Sequence, residues 1–176
     1  PFVWEEKPNA EITFQKWLGA KNNSGEIFAV INDGVYAGKS DGEFLYLTLL
    51  RGSGYCFHPI EDRELYPQDR YLPRIDCGRY AYNLRLFKGS VYEVTKMAEE
   101  FNTPPYAINV FPTGTTNTDS APTVTINGEV ILTTVKTVDN GDIVMRVYNP
   151  ADEEKSFTLK VGKNSYTSVA KRREVV

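Results

Sequence analysis

Period-two patterning is the feature that most limits what this chain can become. It is plainest in Glu43-Phe44-Leu45-Tyr46-Leu47-Thr48-Leu49-Leu50 and in Arg79-Tyr80-Ala81-Tyr82-Asn83-Leu84-Arg85-Leu86-Phe87. Side chains of a strand point alternately to opposite faces, so such a run buries one face and wets the other. Further β-prone runs, rich in Val, Ile, Thr, Tyr and Phe, cover 11–18, 27–31, 106–111, 130–138, 143–148 and 157–161. Turn formers separate them at Asn23-Ser24-Gly25, Asn32-Asp33-Gly34, Ser40-Asp41-Gly42, Asn127-Gly128, Asn140-Gly141-Asp142 and Asn149-Pro150. Many short strands joined by close turns imply antiparallel sheets, and hence an all-β fold of sandwich type. With 41% hydrophobic and 24% charged residues in 176, the chain has the apolar content to fill a core and lacks the signature of disorder.

One segment leaves the strand period. From Ser90 onward the apolar residues Val91, Val94, Met97, Ala98 and Phe101 recur three or four apart, behind Ser90 and Glu93 at capping-box spacing. The spacing predicts a short helix over 90–101. Glu99 and Glu100 stand near its C-terminal end, where they oppose the helix dipole, so packing must hold it. Two stretches lack periodicity. The loop from Arg51 to Asp76 is longer than a hairpin requires and is dense in Arg and Asp, which reads as a functional or interface loop. The small polar run 112–122, bounded by Pro112 and Pro122, reads as a boundary. It divides the chain into 1–114, part of a larger β-sandwich, and 115–176, a smaller Ig-like sandwich.

A net charge of −3 argues against nucleic acid as a partner, because phosphate neutralisation needs clustered excess Lys and Arg. No apolar run approaches the ~20 residues that cross a bilayer, and the expectation is a cytoplasmic protein with no membrane partner. The chain begins at Pro1 and reads as a piece of a longer polypeptide. Cys56 and Cys77 could pair, but two cysteines in a chain of this length are the usual pattern of reduced proteins. His58 is the only histidine, so a two-His metal site cannot be assembled from this chain, and no metal or catalytic residues are expected in it.

Five segments carry a family resemblance. Phe28-Ala29-Val30-Ile31-Asn32-Asp33-Gly34-Val35-Tyr36 is an apolar strand running into an Asn-Asp turn and a Tyr, with Gln15-Lys16-Trp17 upstream. Leu45-Tyr46-Leu47-Thr48-Leu49-Leu50-Arg51 follows, then Asp76-x-Gly78-x-Tyr80-x-Tyr82-x-Leu84, then Glu100-Phe101-Asn102-Thr103-Pro104-Pro105, and last Val147-Tyr148-Asn149-Pro150. In this order and spacing the chain resembles the C-terminal β-sandwich region of glycoside hydrolase family 38 α-mannosidases. It departs from the family pattern at Tyr80, Tyr82 and Leu84, where the family has His, Phe and Tyr.

The resemblance implies a galactose-mutarotase-like sandwich followed by part of the small one. It also implies an intact enzyme that is a retaining, zinc-dependent α-mannosidase, whose nucleophile, acid/base and zinc ligands lie in an N-terminal catalytic domain. That domain, mannosides or oligosaccharides, and a further copy of the chain are the implied partners. This fragment alone is expected to be inactive, with no cofactor of its own.

The candidates for substrate binding or domain contact are Arg51, Tyr55, His58, Arg63, Arg70 and Asp76, which supply donors, acceptors and ring faces suited to sugar. Asp62, Asp69 and Arg74 add to them. The plainer reading of Arg51 is a salt bridge, of His58 a surface residue, and of Asn32, Asp33 and Asp76 local Asx turns. Tyr80 and Tyr82, two apart, read as core or interface packing, while Tyr55, Tyr66 and Tyr71 are left open. The alternatives to a mannosidase part are an independent carbohydrate-binding module and an Ig-like interaction domain. A sandwich taken from its partner domain should also bare apolar surface.

Overall fold

The computed structural model describes residues 11–41, 43–52, 74, 77–109, 111 and 124–176. These are mostly antiparallel β-sheet with one short helix. The 11–109 half centres on a three-stranded sheet, β2 (Trp17–Lys21), β3 (Ile27–Asn32) and β6 (Leu84–Gly89), in the order β2-β3-β6. All of β3 except Phe28 is buried. The register makes the cause visible, because Ile27, Ala29 and Ile31 share one face with Phe87 and Trp17, opposite them on the neighbouring strands. On that face lies helix α1 (Val91–Asn102), whose Val94 joins Ile27 and Ala29 in a cluster ringed by Trp17, Phe87 and Val91. Ala29 and Ala98, both fully buried, are small enough to let helix and sheet approach.

The predicted helix is present, shifted by one residue. Its N-terminus carries the expected box: the Glu93 amide donates to Ser90 Oγ at 3.2 Å and the Ser90 amide to Glu93 Oε2 at 2.8 Å. Two of the amide donors orphaned at a helix start are thereby met. Its acidic C-terminal end is offset by tertiary partners. Lys16 Nζ lies 2.6 Å from Glu99 Oε2, and Arg85 sits over the Phe101 ring at 5.1 Å with its guanidinium 3.0 Å from Met97 Sδ. Arg85 reaches the helix from β6, and Lys16 from the residue before β2.

The other face of this sheet is covered in part by a second one, β1 (Ile12–Thr13), β4 (Ala37–Ser40) and β5 (Leu45–Leu47), in the order β1-β4-β5. Gly38 lies where they meet: a Cβ there would stand 2.8 Å from Leu18 Cδ2 on β2 and 2.4 Å from the Tyr46 carbonyl. Phe28, Leu84 and Leu86, on that same face of the first sheet, are exposed.

In the 124–176 half, β7 (Val124–Asn127), β10 (Lys155–Val161) and β11 (Asn164–Ala170) form a sheet in the order β11-β10-β7, and β8 (Ile131–Thr137) pairs with β9 (Ile143–Tyr148) in another. Their core takes Val130, Val147, Phe157, Leu159 and Ala170, with Ile126, Leu132 and Met145 against it. Both sheets contribute, so this core has strand side chains on both sides and no helix.

Several strands are shorter than their patterns. The run 79–87 joins the ladder only from Leu84, because its partner strand ends where Asn32 pairs with Leu84 and the chain turns away. The run 43–50 pairs only at 45–47, limited by the four residues of β4. The run 106–111 is absent from every sheet among its described residues, with Tyr106 85% and Ile108 71% exposed; Pro104 and Pro105 before it carry no amide donor for a ladder. Conversely, β11 has six exposed residues out of seven and so shows little apolar pattern. Its hairpin turn, with Gly162 at φ 57°, was the available signal.

Candidate functional site

Of the six residues singled out in the sequence, Arg51 is described and Tyr55, His58, Arg63, Arg70 and Asp76 lie outside the described residues, as do Asp62, Asp69, Tyr66 and Tyr71. Arg51 is exposed, and its Nη2 lies 3.7 Å from Glu11 Oε1, the salt-bridge arrangement. The ends of its loop are tied: Arg74 Nη1 donates to the Gly52 carbonyl at 3.3 Å, and the Tyr82 hydroxyl donates to the Leu49 carbonyl. Cys77 is an exposed free thiol, and Cys56 lies outside the described residues. Tyr80 and Tyr82 precede β6 with parallel rings, 6.3 Å between centroids and 17° between planes. At 48% exposure Tyr80 is a surface residue and not part of a core.

The Asn32 corner draws together segments that carry the family resemblance. The Asn32 side chain is fully buried; its Oδ1 accepts from the amides of Gly34 at 3.0 Å and Val35 at 2.6 Å, and its Nδ2 donates to the Gln15 carbonyl at 3.3 Å. This is the Asx turn the sequence implied. Asp33 goes elsewhere. Its Oδ2 accepts from Asn83 Nδ2 at 2.6 Å, and that bond holds its carboxyl below the ordinary carboxylate range. Asn102, at the end of α1, donates from Nδ2 to the Asn32 carbonyl at 2.9 Å. Asp33 is thus tied to Asn83 over 50 positions of sequence and Asn32 to Asn102 over 70. The Asn32 amide and the Asp33 carboxylate are both engaged by other protein groups, so the chemistry is that of a structural knot.

A second constellation lies on the outward face of β1-β4-β5. Because Gly38 faces Leu18, the opposite parity, Lys39 with Tyr46 across from it, looks away from the first sheet. Phe44 and Thr48 share that parity on the β5 side. Lys39 Nζ sits 4.9 Å above the Tyr46 ring, Phe44 meets that ring edge-on at 6.2 Å, and Thr48 Oγ1 reaches Glu11 Oε1 at 3.4 Å. Phe44 is 57% and Tyr46 42% exposed. Asp41 closes the end of the hairpin. Its Oδ1 accepts from the amides of Phe44 at 2.8 Å and Glu43 at 3.1 Å, and its Oδ2 from the Tyr46 hydroxyl at 2.7 Å. The Phe44 amide first, then the Tyr46 hydroxyl, lower the Asp41 pKa to about 2, and the same bond raises that of Tyr46. Sequence reasoning took Asp41 for a plain turn residue and 43–50 for a plain strand; side-chain direction across three strands was not available to it.

A cleft of about 450 Å³ is bordered by Lys21, Gly25, the start of α1, Glu129, Ala151, Asp152, Glu153 and Lys155. Lys155 there is paired twice, with Nζ 2.5 Å from Glu129 Oε2 and 2.6 Å from Glu153 Oε1, and Asp152 is engaged by Arg172 and Arg173. The carboxylate of Glu129 first, then that of Glu153, raises the Lys155 pKa. Among the described residues no group of three or more His, Cys, Asp or Glu is placed to hold a metal, and no helix is long and apolar enough to cross a membrane. No protein-family model, curated protein or solved structure matches the chain.

Proposed function

We propose that this chain is the non-catalytic β-sandwich part of an α-mannosidase, with 1–114 belonging to the larger sandwich and 115–176 forming a small Ig-like one. It supports a catalytic domain elsewhere in the same polypeptide, where zinc and the two reacting carboxylates reside. The observation that carries this reading is the Asn32 corner. The Asn-Asp turn and the Phe-Asn-x-Pro junction, two of the resembling stretches, meet where Asn102 Nδ2 donates to the Asn32 carbonyl, and Asn83, on the approach to the strand after Gly78, bonds Asp33. The exposed Phe28, Leu84 and Leu86 suit a face that packs on another domain, and substantial contact between elements stays within 11–109 or within 124–176, which suits the two-part division.

The test is to express the gene product that contains this chain and assay it with an aryl α-mannoside, with zinc and with zinc chelated. Zinc-dependent hydrolysis by the whole protein, and none by the 176-residue chain, is expected; absence of mannosidase activity from the whole protein overturns the reading. In the active protein, Arg51→Ala and His58→Ala probe the loop. A fall of about tenfold in kcat/KM, about 1.4 kcal/mol of transition-state stabilisation, marks a sugar contact, whereas a fall in thermal stability alone marks a domain contact.

A further inference from the structure

We propose that the outward face of the β1-β4-β5 sheet is a binding site for neutral pyranosides, centred on Phe44 and Tyr46 with Lys39, Asp41, Glu11 and Arg51 around them. Sugar recognition needs an apolar ring face for the CH side of a pyranose and fixed donors and acceptors for its hydroxyls. Both are present on one hairpin. Phe44 offers the most open ring surface, and its neighbour Tyr46 is already fixed by Asp41 at one end and by the Lys39 ammonium over one ring face. An aromatic side chain that is immobilised before the ligand arrives loses little rotamer freedom on binding.

The charges select the ligand class. Lys39 and Arg51 are balanced by Asp41 and Glu11, with Arg51 and Glu11 already paired at 3.7 Å. A phosphate or carboxylate ligand therefore gains no net attraction, whereas a neutral polyol finds an ammonium donor and carboxylate acceptors. The amides of Glu43 and Phe44 occupy Asp41 Oδ1 and the Tyr46 hydroxyl takes one site on Oδ2, so the carboxylate is held in place while Oδ2 retains acceptor capacity for a sugar hydroxyl. This face points away from the β2-β3-β6 sheet, so its occupation is independent of the packing between the two sheets. Only the choice of mannosides as first probes rests on the reading proposed above.

The experiment is a chemical-shift titration of the 176-residue chain with methyl α-D-mannopyranoside and mannobiose, and with inorganic phosphate as the anionic probe. Saturable, millimolar binding of both sugars is expected, with shifts confined to β1, β4, β5 and the Asp41 turn, and none with phosphate. Phe44→Ala should weaken the sugars by at least about tenfold, about 1.4 kcal/mol. Should Phe44→Ala fail to fold, Lys39→Gln, a surface change, should still weaken them severalfold with the native circular dichroism spectrum retained. The proposal is overturned by the absence of a sugar shift at tens of millimolar, by shifts centred elsewhere, by equal phosphate binding, or by unchanged affinity in folded variants. Mannosidase activity of the whole protein is read separately, so either proposal can fail while the other stands.

Discussion

Asn32 and Asn149 are both fully buried amides at the end of a core strand, yet they tie different elements together. Asn149 Nδ2 donates to the carbonyls of Glu153, Ala170 and Lys171 at 2.8–3.0 Å, and its Oδ1 accepts the Ala151 amide at 2.9 Å. It staples one strand end to another within the 124–176 half. Asn32 joins its own turn to Gln15, and through its carbonyl to Asn102, so it fixes where a helix ends on a sheet. The lesson is that a buried polar side chain is tolerated where backbone groups leaving a strand would otherwise be unsatisfied. The side chains of Asn32 and Asn149 span similar separations, 17 and 22 positions at most, and the long tie across 70 positions at the first corner is made by Asn102 to the Asn32 carbonyl, where a helix returns across the sheet.

The largest expected effect comes from removing the Asn149 staple. Asn149→Ala removes the two Nδ2 hydrogens shared among three carbonyls and the acceptor of the Ala151 amide, and should cost about 3 kcal/mol, at roughly 1 kcal/mol per lost bond. Urea unfolding checks this and sharpens the comparison, because both tryptophans, Trp4 and Trp17, precede residue 20. Trp17 lies against the Ile27, Ala29 and Val94 cluster, so circular dichroism should shift while tryptophan fluorescence keeps its midpoint. Coincident shifts of both probes would break the division into two halves.

Asn32→Ala should do the converse at about 2–3 kcal/mol, since the amides of Gly34 and Val35 and the Gln15 carbonyl lose their partner while the Asn102 bond goes to main chain and survives. Here tryptophan fluorescence should move first. Val94→Ala, which empties space between helix and sheet, should cost about 2 kcal/mol from lost methyl burial and the cavity left behind. Ser90→Ala removes the helix cap and should lower stability by about 1 kcal/mol, read in the same unfolding experiment.

The smallest effect is one of pH. With its pKa near 2 when folded, against 3.8 ordinarily, Asp41 contributes its full stabilisation above about pH 3.8 and loses it as pH falls through about 2. Tyr46→Phe removes one of the bonds responsible, while the larger one from the Phe44 amide remains. The Asp41 carboxyl, followed by carbon NMR, should then titrate at a higher pH than in the wild type, still below 3.8. An unchanged midpoint would mean that the hydroxyl does not hold the carboxylate, and would weaken the case for a preset binding face.

Local physics made much of this molecule readable in advance. The Ser90–Glu93 box, the apolar spacing from Val91 to Phe101, the Asx turn at Asn32 and most strand positions depend on residues within a few places of one another, and each is found in the structure. The sequence also determined that the chain would form antiparallel β-sheet with one short helix. What it could not determine lies in register across long separations. The ladder at Asn32–Leu84 sets where β6 begins and leaves Tyr80 and Tyr82 outside it, and the contact of Gly38 with Leu18 sets which side of the β4-β5 hairpin turns outward. A shift of one residue in either pairing would send each of these side chains to the opposite face. Tertiary packing alone therefore decided that Phe44, Tyr46 and Lys39 share an open surface with the Glu11–Arg51 pair.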